Sequence, residues 1–298
     1  MRFKVSQNYF WIFLVFFPFL VQGAESGLFF QQIQQFTDQA THKREGLVIW
    51  TNLENQQQKI FGNSKLAGEK FLPGSLFKLV TAQAAVENQQ ILSYRCNGHD
   101  VLGFKRRTCW TRKGHGLLEL PQALGISCNL YFQNLGLKLG FDKIWQVLRQ
   151  YPNLSNDLDP KRLPPGLDLA RFAMGDEASY RLTPQELDTF WNLYVIKIQD
   201  KRYAAIYQGL RRSVYSGTAS KLKKNPLEIL AKTGTGDSLN SLYKTHGWFL
   251  GAIPAQNPQY SVLIFLQEAH GFEEPTKLAE KIFSKAYEFG VEEAGKPL

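Results

Sequence analysis

The sequence lacks several features that would place it in other protein classes. Its longest apolar run, residues 9–21, is shorter than the ~20 residues that a membrane-spanning helix needs. No cysteine lies between residues 20 and 30, which argues against a lipid-modified N-terminus. Linkers, internal repeats and long low-complexity tracts are also missing. The chain beyond the apolar run is therefore expected to form one large domain or two closely packed lobes.

The N-terminus has the pattern of a secretory signal. Arg2 and Lys4 precede the apolar run, and small residues around Gly23 follow it. Residues 1–23 are therefore predicted to be a signal peptide or an uncleaved N-terminal membrane anchor, and residues 24–298 the folded domain. For an exported protein, the formal net charge of +9 favours anionic lipid head groups or cell-wall polymers as surroundings and argues against nucleic acid.

Hydrophobic periodicity predicts an α+β fold. Two early strands, residues 46–51 and 59–62, precede a mainly helical middle, and an irregular segment contains the cysteines. The predicted helices cover residues 28–42, 118–124, 129–139, 142–150, 184–198, 203–215 and 275–289, and the late strands cover 228–233, 246–253 and 260–267. Strands from both ends of the chain are expected to form one sheet, with an all-helical lobe at about residues 80–215 inserted in the sheet lobe.

A serine and a lysine three residues apart mark the first candidate site. Ser75 and Lys78 follow a Pro-Gly break at the apparent start of a helix, so the lysine amine can reach the serine hydroxyl. A lysine taken out of water loses its proton more easily, which makes the pair a candidate nucleophile and base. This spacing also arises by chance, and a first-turn serine is commonly only a helix cap.

Two further motifs favour the catalytic interpretation of Ser75 and Lys78 over a chance spacing. Ser127 and Asn129 flank a single residue in a gap between predicted helices. Residues 232–235, Lys-Thr-Gly-Thr, lie at the end of the first late strand, where Gly234 lets a ligand backbone approach closely.

Ser-x-x-Lys, Ser-x-Asn and Lys-Thr-Gly, in that order, form the motif set of penicillin-binding proteins and serine β-lactamases. The sequence is identified as a member of that superfamily, and from about residue 46 to 290 it resembles the transpeptidase domain of class B penicillin-binding proteins. The further segments that carry the resemblance are residues 73–88, 115–132, 174–175, 182–184, 216–219 and 246–265. The resemblance implies the penicillin-binding transpeptidase/β-lactamase-like fold, with an antiparallel five-stranded sheet flanked by helices.

The resemblance also implies a reaction. The protein would be a peptidoglycan D,D-transpeptidase or D,D-carboxypeptidase that binds D-Ala-D-Ala stem peptides and penicillin, in the periplasm or on the extracytoplasmic face of the cytoplasmic membrane. Its implied catalytic residues are Ser75, Lys78 and Ser127, and its substrate-binding residues are Asn129, Lys232, Thr233, Gly234 and Thr235. Ser75 would form an acyl-enzyme, and the chemistry needs no cofactor.

Two other functions fit the same motifs. One is a serine β-lactamase, whose compact size this chain matches because the nucleophile comes as early as residue 75. The other is a sensor of β-lactams or peptidoglycan that is acylated once and does not turn over. Asn129 favours a penicillin-binding protein, because the β-lactamases that use a carboxylated lysine usually have an apolar residue there.

Three cysteines in an exported chain leave one unpaired under any intramolecular disulfide scheme. One interpretation is a Cys96–Cys109 disulfide with Cys128 buried and inert. The other is a structural zinc ion held by Cys96, Cys109, His115 and Cys128, a three-cysteine, one-histidine set that suits tetrahedral zinc. These positions resemble those at which some elongation-type class B enzymes hold a metal.

Overall fold

The computed structural model describes residues 27–155, 167–238 and 244–291. The predicted signal segment lies outside these residues. Among the described residues, no helix is both long and apolar enough to cross a membrane.

The helices and strands follow one another in an order that divides the chain into an early strand pair, a long middle and a late group of three strands. The helices are α1 (residues 27–41), α2 (Lys78–Glu87), α3 (Leu120–Gly125), α4 (Asn129–Leu139), α5 (Phe141–Leu148), α6 (Pro152–Ser155), α7 (Leu167–Met174), α8 (Pro184–Lys197), α9 (Ala204–Ser216) and α10 (Glu274–Glu288). The strands are β1 (Gly46–Asn52), β2 (Gln58–Gly62), β3 (Tyr94–Cys96), β4 (His99–Leu102), β5 (Lys105–Thr108), β6 (Gly116–Leu118), β7 (Leu230–Asp237), β8 (Thr245–Ile253) and β9 (Tyr260–Gln267).

The main sheet joins strands from both ends of the chain. Its order is β2-β1-β9-β8-β7, and every neighbouring pair is antiparallel. The register pairs Val48 with Ile264 and Gly234 with Trp248. This is the predicted five-stranded antiparallel sheet, and β7, which carries the Lys-Thr-Gly motif, lies at its edge.

The sheet separates two hydrophobic clusters because successive side chains of a strand point to opposite faces. On β1, Leu47 belongs to the cluster shared with the helical middle of the chain, whereas Val48 belongs to the cluster shared with α1 and α10. The helical ends are specified locally as well. Thr183 and Glu186 form a capping box at the start of α8, each bonding the other's backbone N–H.

The structure differs from the sequence prediction in three places. The cysteine-containing segment, predicted to be irregular, forms two small antiparallel sheets, β3 with β6 and β4 with β5. Helices α6 and α7 were not predicted. Strand β7 continues to Asp237, so residues 232–235 lie inside the strand and not at its end. Pairing with β8 along this whole length keeps the glycine-rich motif extended.

Candidate active site

Ser75 lies in a tight turn pressed against the edge strand. The turn is a 3₁₀ helix, Gly74–Phe77, that continues directly into α2. Gly74 has a positive φ of 53°, and a Cβ there would be 2.2 Å from the carbonyl oxygen of Thr235. Only glycine tolerates both the backbone conformation and this approach. The Pro-Gly break therefore holds the serine beside β7.

Ser75 lines a cavity of about 530 Å³ at the meeting point of the sheet and the helical region. That volume is within the usual range for a small-molecule site. The cavity is lined by Ser75, Trp110, Ile126, Ser127, Asn129, Ser216, Gly217, Thr218, Ser220, Lys221, Thr233, Gly234, Thr235, His270, Phe272 and Glu273.

Lys78 is completely buried beneath this cavity. Its Nζ donates to the carbonyl oxygen of Ser127 at 2.8 Å, to Ser127 Oγ at 3.2 Å and to Asn129 Oδ1 at 2.6 Å. Burial lowers the pKa of Lys78 to about 8, although the nearby Cys128 and Cys109 sulfurs oppose this shift. Within the described part of the chain the Ser75 hydroxyl makes no hydrogen bond of its own.

Ser127 lies between two buried lysines. Lys232 Nζ donates to Ser127 Oγ at 3.0 Å, on the same oxygen that Lys78 contacts. Ser127 has a φ of 55°, a conformation rare outside glycine and common at functional sites. Burial, and then the charge of Lys78, lower the pKa of Lys232 well below its ordinary value. Burial is the largest cause of the lowered pKa for both lysines, as the sequence interpretation expected for Lys78.

The hydroxyls of strand β7 are held in place from outside the strand. Thr233 Oγ1 donates to Thr218 Oγ1 at 2.6 Å, and the backbone N–H of Gly271 donates to Thr235 Oγ1 at 3.1 Å. Thr218 was not singled out as a site residue, because only the fold brings the segment after α9 beside β7. Gly234 packs against the backbone of the Ser75 turn, where a Cβ would be 3.1 Å from Pro73 O.

The three cysteines and His115 form one compact cluster. Their four ligand atoms all lie within 4.8 Å of one another, and the cysteines are free and buried. His115 Nδ1 is 3.5 Å from Cys96 Sγ and 3.6 Å from Cys109 Sγ, and Cys109 Sγ is 3.8 Å from Cys128 Sγ. Cys128 directly follows Ser127 and precedes α4, so the cluster lies immediately behind the Ser-x-Asn motif.

Hydrogen bonds within the cluster favour a thiolate on Cys109. Those from the Cys128 thiol, His115 and the first N–H groups of α4 lower the pKa of Cys109. The same pairing raises the pKa of Cys128. A helix N-terminus stabilises a thiolate because its N–H groups point outward.

Two aromatic side chains complete the cavity. Trp110 and Phe272 both line it and both remain substantially exposed. Neither was predicted as a site residue. Their signal in the sequence was weak, since each lies in a segment between recognisable elements.

Comparison with known proteins assigns the chain to a family. The model of the penicillin binding protein transpeptidase domain matches residues 38–162 and 192–288, more than half of the chain. Stage V sporulation protein D of Bacillus subtilis (strain 168) is 36% identical over 83 residues, which are 26% of this chain and 13% of that protein.

Solved structures agree at the level of the fold. The penicillin-binding protein PBP2 from Helicobacter pylori superposes with a TM-score of 0.76 at 18% identity, covering 87% of this chain and 63% of that chain. PBP2 of Pseudomonas aeruginosa gives 0.72 at 17% identity, covering 90% and 78%. The chain thus spans less than two thirds of the H. pylori protein. The family model confirms the predicted superfamily, and the solved structures confirm the predicted fold.

Proposed function

This chain belongs to the penicillin-binding protein transpeptidase family, and from that membership and the geometry of its cavity we propose that it is a peptidoglycan D,D-transpeptidase that forms an acyl-Ser75 intermediate. The observation that carries the proposal is the buried chain of hydrogen bonds from Lys78 through Ser127 to Lys232, whose central residue lines the same cavity as Ser75. D,D-Carboxypeptidase activity is the same chemistry with water as the acceptor. The substrate is the D-Ala-D-Ala end of a stem peptide, and β-lactams react in its place.

In the proposed acylation, Ser75 Oγ attacks the carbonyl carbon of the penultimate D-Ala. Lys78 takes the hydroxyl proton, which its lowered pKa makes feasible near neutral pH. Ser127 passes a proton to the leaving amine as the peptide C–N bond breaks, and the terminal D-Ala departs. The ester on Ser75 is then attacked by an amine or by water, which restores the serine.

Binding the substrate draws on the edge strand. The hydroxyls of Thr233 and Thr235 would hold the terminal carboxylate, and Lys232 lies buried on the same strand, hydrogen-bonded to Ser127. Asn129 accepts from Lys78 in the absence of substrate, and its amide N–H₂ would hydrogen-bond the substrate backbone. The backbone N–H groups of Ser75 and Thr235 would form the oxyanion hole, with each donor worth on the order of 3 kcal/mol.

Labelling with a fluorescent penicillin tests the proposal. The unmodified protein should be labelled, and Ser75→Ala should not. Ser220→Ala is the matched control, because this serine also lines the cavity without belonging to the lysine network. Labelling of Ser75→Ala at the rate of the unmodified protein would refute Ser75 as the nucleophile.

The fate of the label separates the alternatives. A transpeptidase should keep the label for a long time and should also release D-Ala from a D-Ala-D-Ala peptide. Rapid loss of label with β-lactam turnover would identify a β-lactamase instead. A stable label without any peptide reaction would identify a sensor.

We also propose that Cys96, Cys109, His115 and Cys128 hold one structural zinc ion. Tetrahedral zinc with sulfur ligands at about 2.3 Å and nitrogen at about 2.0 Å requires ligand atoms roughly 3.5–3.8 Å apart. Three of the six separations, at 3.5, 3.6 and 3.8 Å, fit this requirement, and all four ligand atoms lie within 4.8 Å of one another. The ion would fix the start of α4 and thereby Ser127, without touching the substrate.

Metal analysis of protein purified without chelator should find one zinc per chain, and Cys128→Ser should lose it. Absence of zinc together with a Cys96–Cys109 crosslink would contradict the proposal and support the disulfide. Ser93→Ala, a change outside the cluster, controls for handling of the protein.

We infer that the protein acts outside the cytoplasm, because its first 23 residues carry a secretory pattern and its substrate class is extracytoplasmic. Fractionation of cells that express the full chain should place it in the periplasm or on the membrane. Recovery only in the cytosol would contradict this localisation.

A further inference from the structure

One carbonyl oxygen just before the nucleophile is bonded by two buried side chains of the sheet. Leu72 lies three residues before Ser75, and its carbonyl oxygen accepts from His246 Nε2 at 2.8 Å and from Trp248 Nε1 at 3.0 Å. A carbonyl oxygen only accepts, so His246 Nε2 must carry a hydrogen and donate it. Both rings belong to β8 and are buried, and neither takes part in the proposed reaction. The segment that leads into the Ser75 turn is therefore tied to the strand next to β7.

Gly236 leaves the space in which this tie is made. In the register of β7 and β8, Gly236 pairs with His246. A Cβ on Gly236 would be 2.4 Å from His246 Nε2 and 2.6 Å from Leu72 O, so a larger residue would displace one of the two bonded atoms. Gly236 lies in extended strand backbone, which any residue adopts, so the close approach is what requires glycine here.

Beyond this tie the chain runs in close contact with β7 up to the nucleophile. A Cβ on Gly234 would be 3.1 Å from Pro73 O, and a Cβ on Gly74 would be 2.2 Å from Thr235 O. The proposed oxyanion hole takes one N–H from each side of this contact, from Ser75 on the turn and from Thr235 on the strand. The separation of these two donors therefore depends on how the turn lies against β7. A misplacement of about 1 Å costs on the order of a hundredfold in rate.

A packing role alone does not account for a histidine at position 246. The ring centroid of His246 lies 5.6, 5.8 and 5.4 Å from those of Phe71, Trp248 and Phe265. A polar ring buried among three aromatic rings costs free energy unless it is hydrogen-bonded, and an apolar side chain would avoid that cost. The hydrogen bond to Leu72 O offsets it. Burial also lowers the pKa of His246, so the donor is the neutral ring at neutral pH.

We propose that His246 is a positioning residue for the acylation of Ser75: it holds Leu72 O from its place opposite Gly236 and so keeps the Ser75 turn against β7 in the geometry that the oxyanion hole needs. The inference rests on the proposed function. Trp248 provides the second bond to the same oxygen, and neither ring lines the cavity where the substrate would bind. Loss of the tie should therefore slow acyl transfer and leave the non-covalent binding of a β-lactam nearly unchanged.

Stopped-flow acylation over a range of benzylpenicillin concentrations separates the dissociation constant of the non-covalent complex from the rate constant of acylation. His246→Leu removes the first donor, and His246→Gln replaces it with an amide N–H. Trp248→Phe removes the second donor. Trp191→Phe is the matched control for Trp248→Phe, because Trp191 is an equally buried indole that donates to a carbonyl outside the Ser75 turn, Gly251 O at 2.9 Å.

His246→Leu and Trp248→Phe should each lower the acylation rate constant at least about tenfold, with a dissociation constant within about twofold of that of the unmodified protein. His246→Gln should recover most of the rate. Trp191→Phe should keep the full rate even where it lowers the melting temperature. Circular dichroism checks that each variant is folded, and if His246→Leu is not, the two tryptophan variants decide between the outcomes.

A full acylation rate in folded His246→Leu or in Trp248→Phe would overturn the inference. Equal losses in the two histidine variants, equal losses in the two tryptophan variants, or a weaker complex at an unchanged rate constant would do the same. If benzylpenicillin does not acylate the unmodified protein, the proposed function fails. If it does and the variants match the unmodified protein, only the positioning role of His246 fails.

Discussion

The pH dependence of acylation follows from the burial of Lys78. The amine is fully enclosed, and burial lowers its pKa from 10.5 to about 8. At pH 7 roughly a tenth of the Lys78 amines would then be unprotonated, compared with roughly three in ten thousand for an ordinary lysine. If the free amine takes the Ser75 proton, this difference corresponds to a rate advantage of more than about a hundredfold at neutral pH.

Whether the acylation rate constant rises or falls with pH depends on which protonation form of Lys78 reacts. Because the unprotonated amine is the base, the acylation rate constant should rise about tenfold per pH unit below about 8 and level off above it. Stopped-flow acylation by benzylpenicillin between about pH 6 and pH 10 measures this profile. Lys78→Arg, whose charge cannot be removed in this range, should abolish the rising limb along with most of the rate.

A midpoint at or above about pH 10 would show that the pKa of Lys78 is not lowered as its burial implies. An acylation rate constant that does not change with pH would exclude Lys78 as the base. Lys78 and Lys232 both contact Ser127 Oγ, so the midpoint belongs to the coupled pair. Lys223→Arg, an exposed position, provides the control for effects of lysine replacement in general.

Three further results are expected. Gly175→Ala should destabilise the protein by at least about 2 kcal/mol in urea unfolding, because Gly175 has a φ of 86° and a Cβ would lie 1.8 Å from Gly74 O. Gly68→Ala is the control and should be near neutral, because there is open space around Gly68. Equal stabilities of the two variants would refute the close contact between Gly175 and Gly74. Burial raises the pKa of Asp188 to about 6, so the folded state holds this proton more tightly than the unfolded chain, and stability should fall by up to about 3 kcal/mol as pH rises from about 4 to above 6. Asp188→Asn should flatten that slope, and an unchanged slope would refute the assignment. Ser127→Ala should slow acylation on the order of 10²-fold or more, whereas a full rate would remove Ser127 from the proton path.

The sheet was predictable because residues along its strands either alternate between apolar and polar or are apolar throughout. The alternation of Leu47 and Val48 between two buried clusters requires both faces of β1 to be covered. By contrast, β3 to β6 are three or four residues long and largely exposed, so no hydrophobic period marks them. Their partners lie far apart in the sequence: β3 ends at Cys96 of the cysteine cluster, and Asp100 of β4 and Arg107 of β5 both hydrogen-bond Asn134 of α4.

The motif residues were predicted together because their spacing matches a family pattern. The structure places most of them on one cavity, and the two lysines are buried and hydrogen-bonded to Ser127, which lines it. The partners that hold them could not be predicted in the same way. Thr218 meets Thr233, and Gly271 meets Thr235, only through long-range packing. Trp110 and Phe272 come from segments without a motif. The sequence therefore predicts the residues that are proposed to carry the chemistry, whereas the aromatic residues that line the cavity are visible only in the fold.

Mass spectrometry of the intact protein after brief exposure to benzylpenicillin tests the central claim most directly. The account predicts one adduct per chain with the mass of the opened β-lactam, mapped by peptide digestion to Ser75 and missing from Ser75→Ala. No adduct on the folded protein, or an adduct that persists in Ser75→Ala, would contradict it.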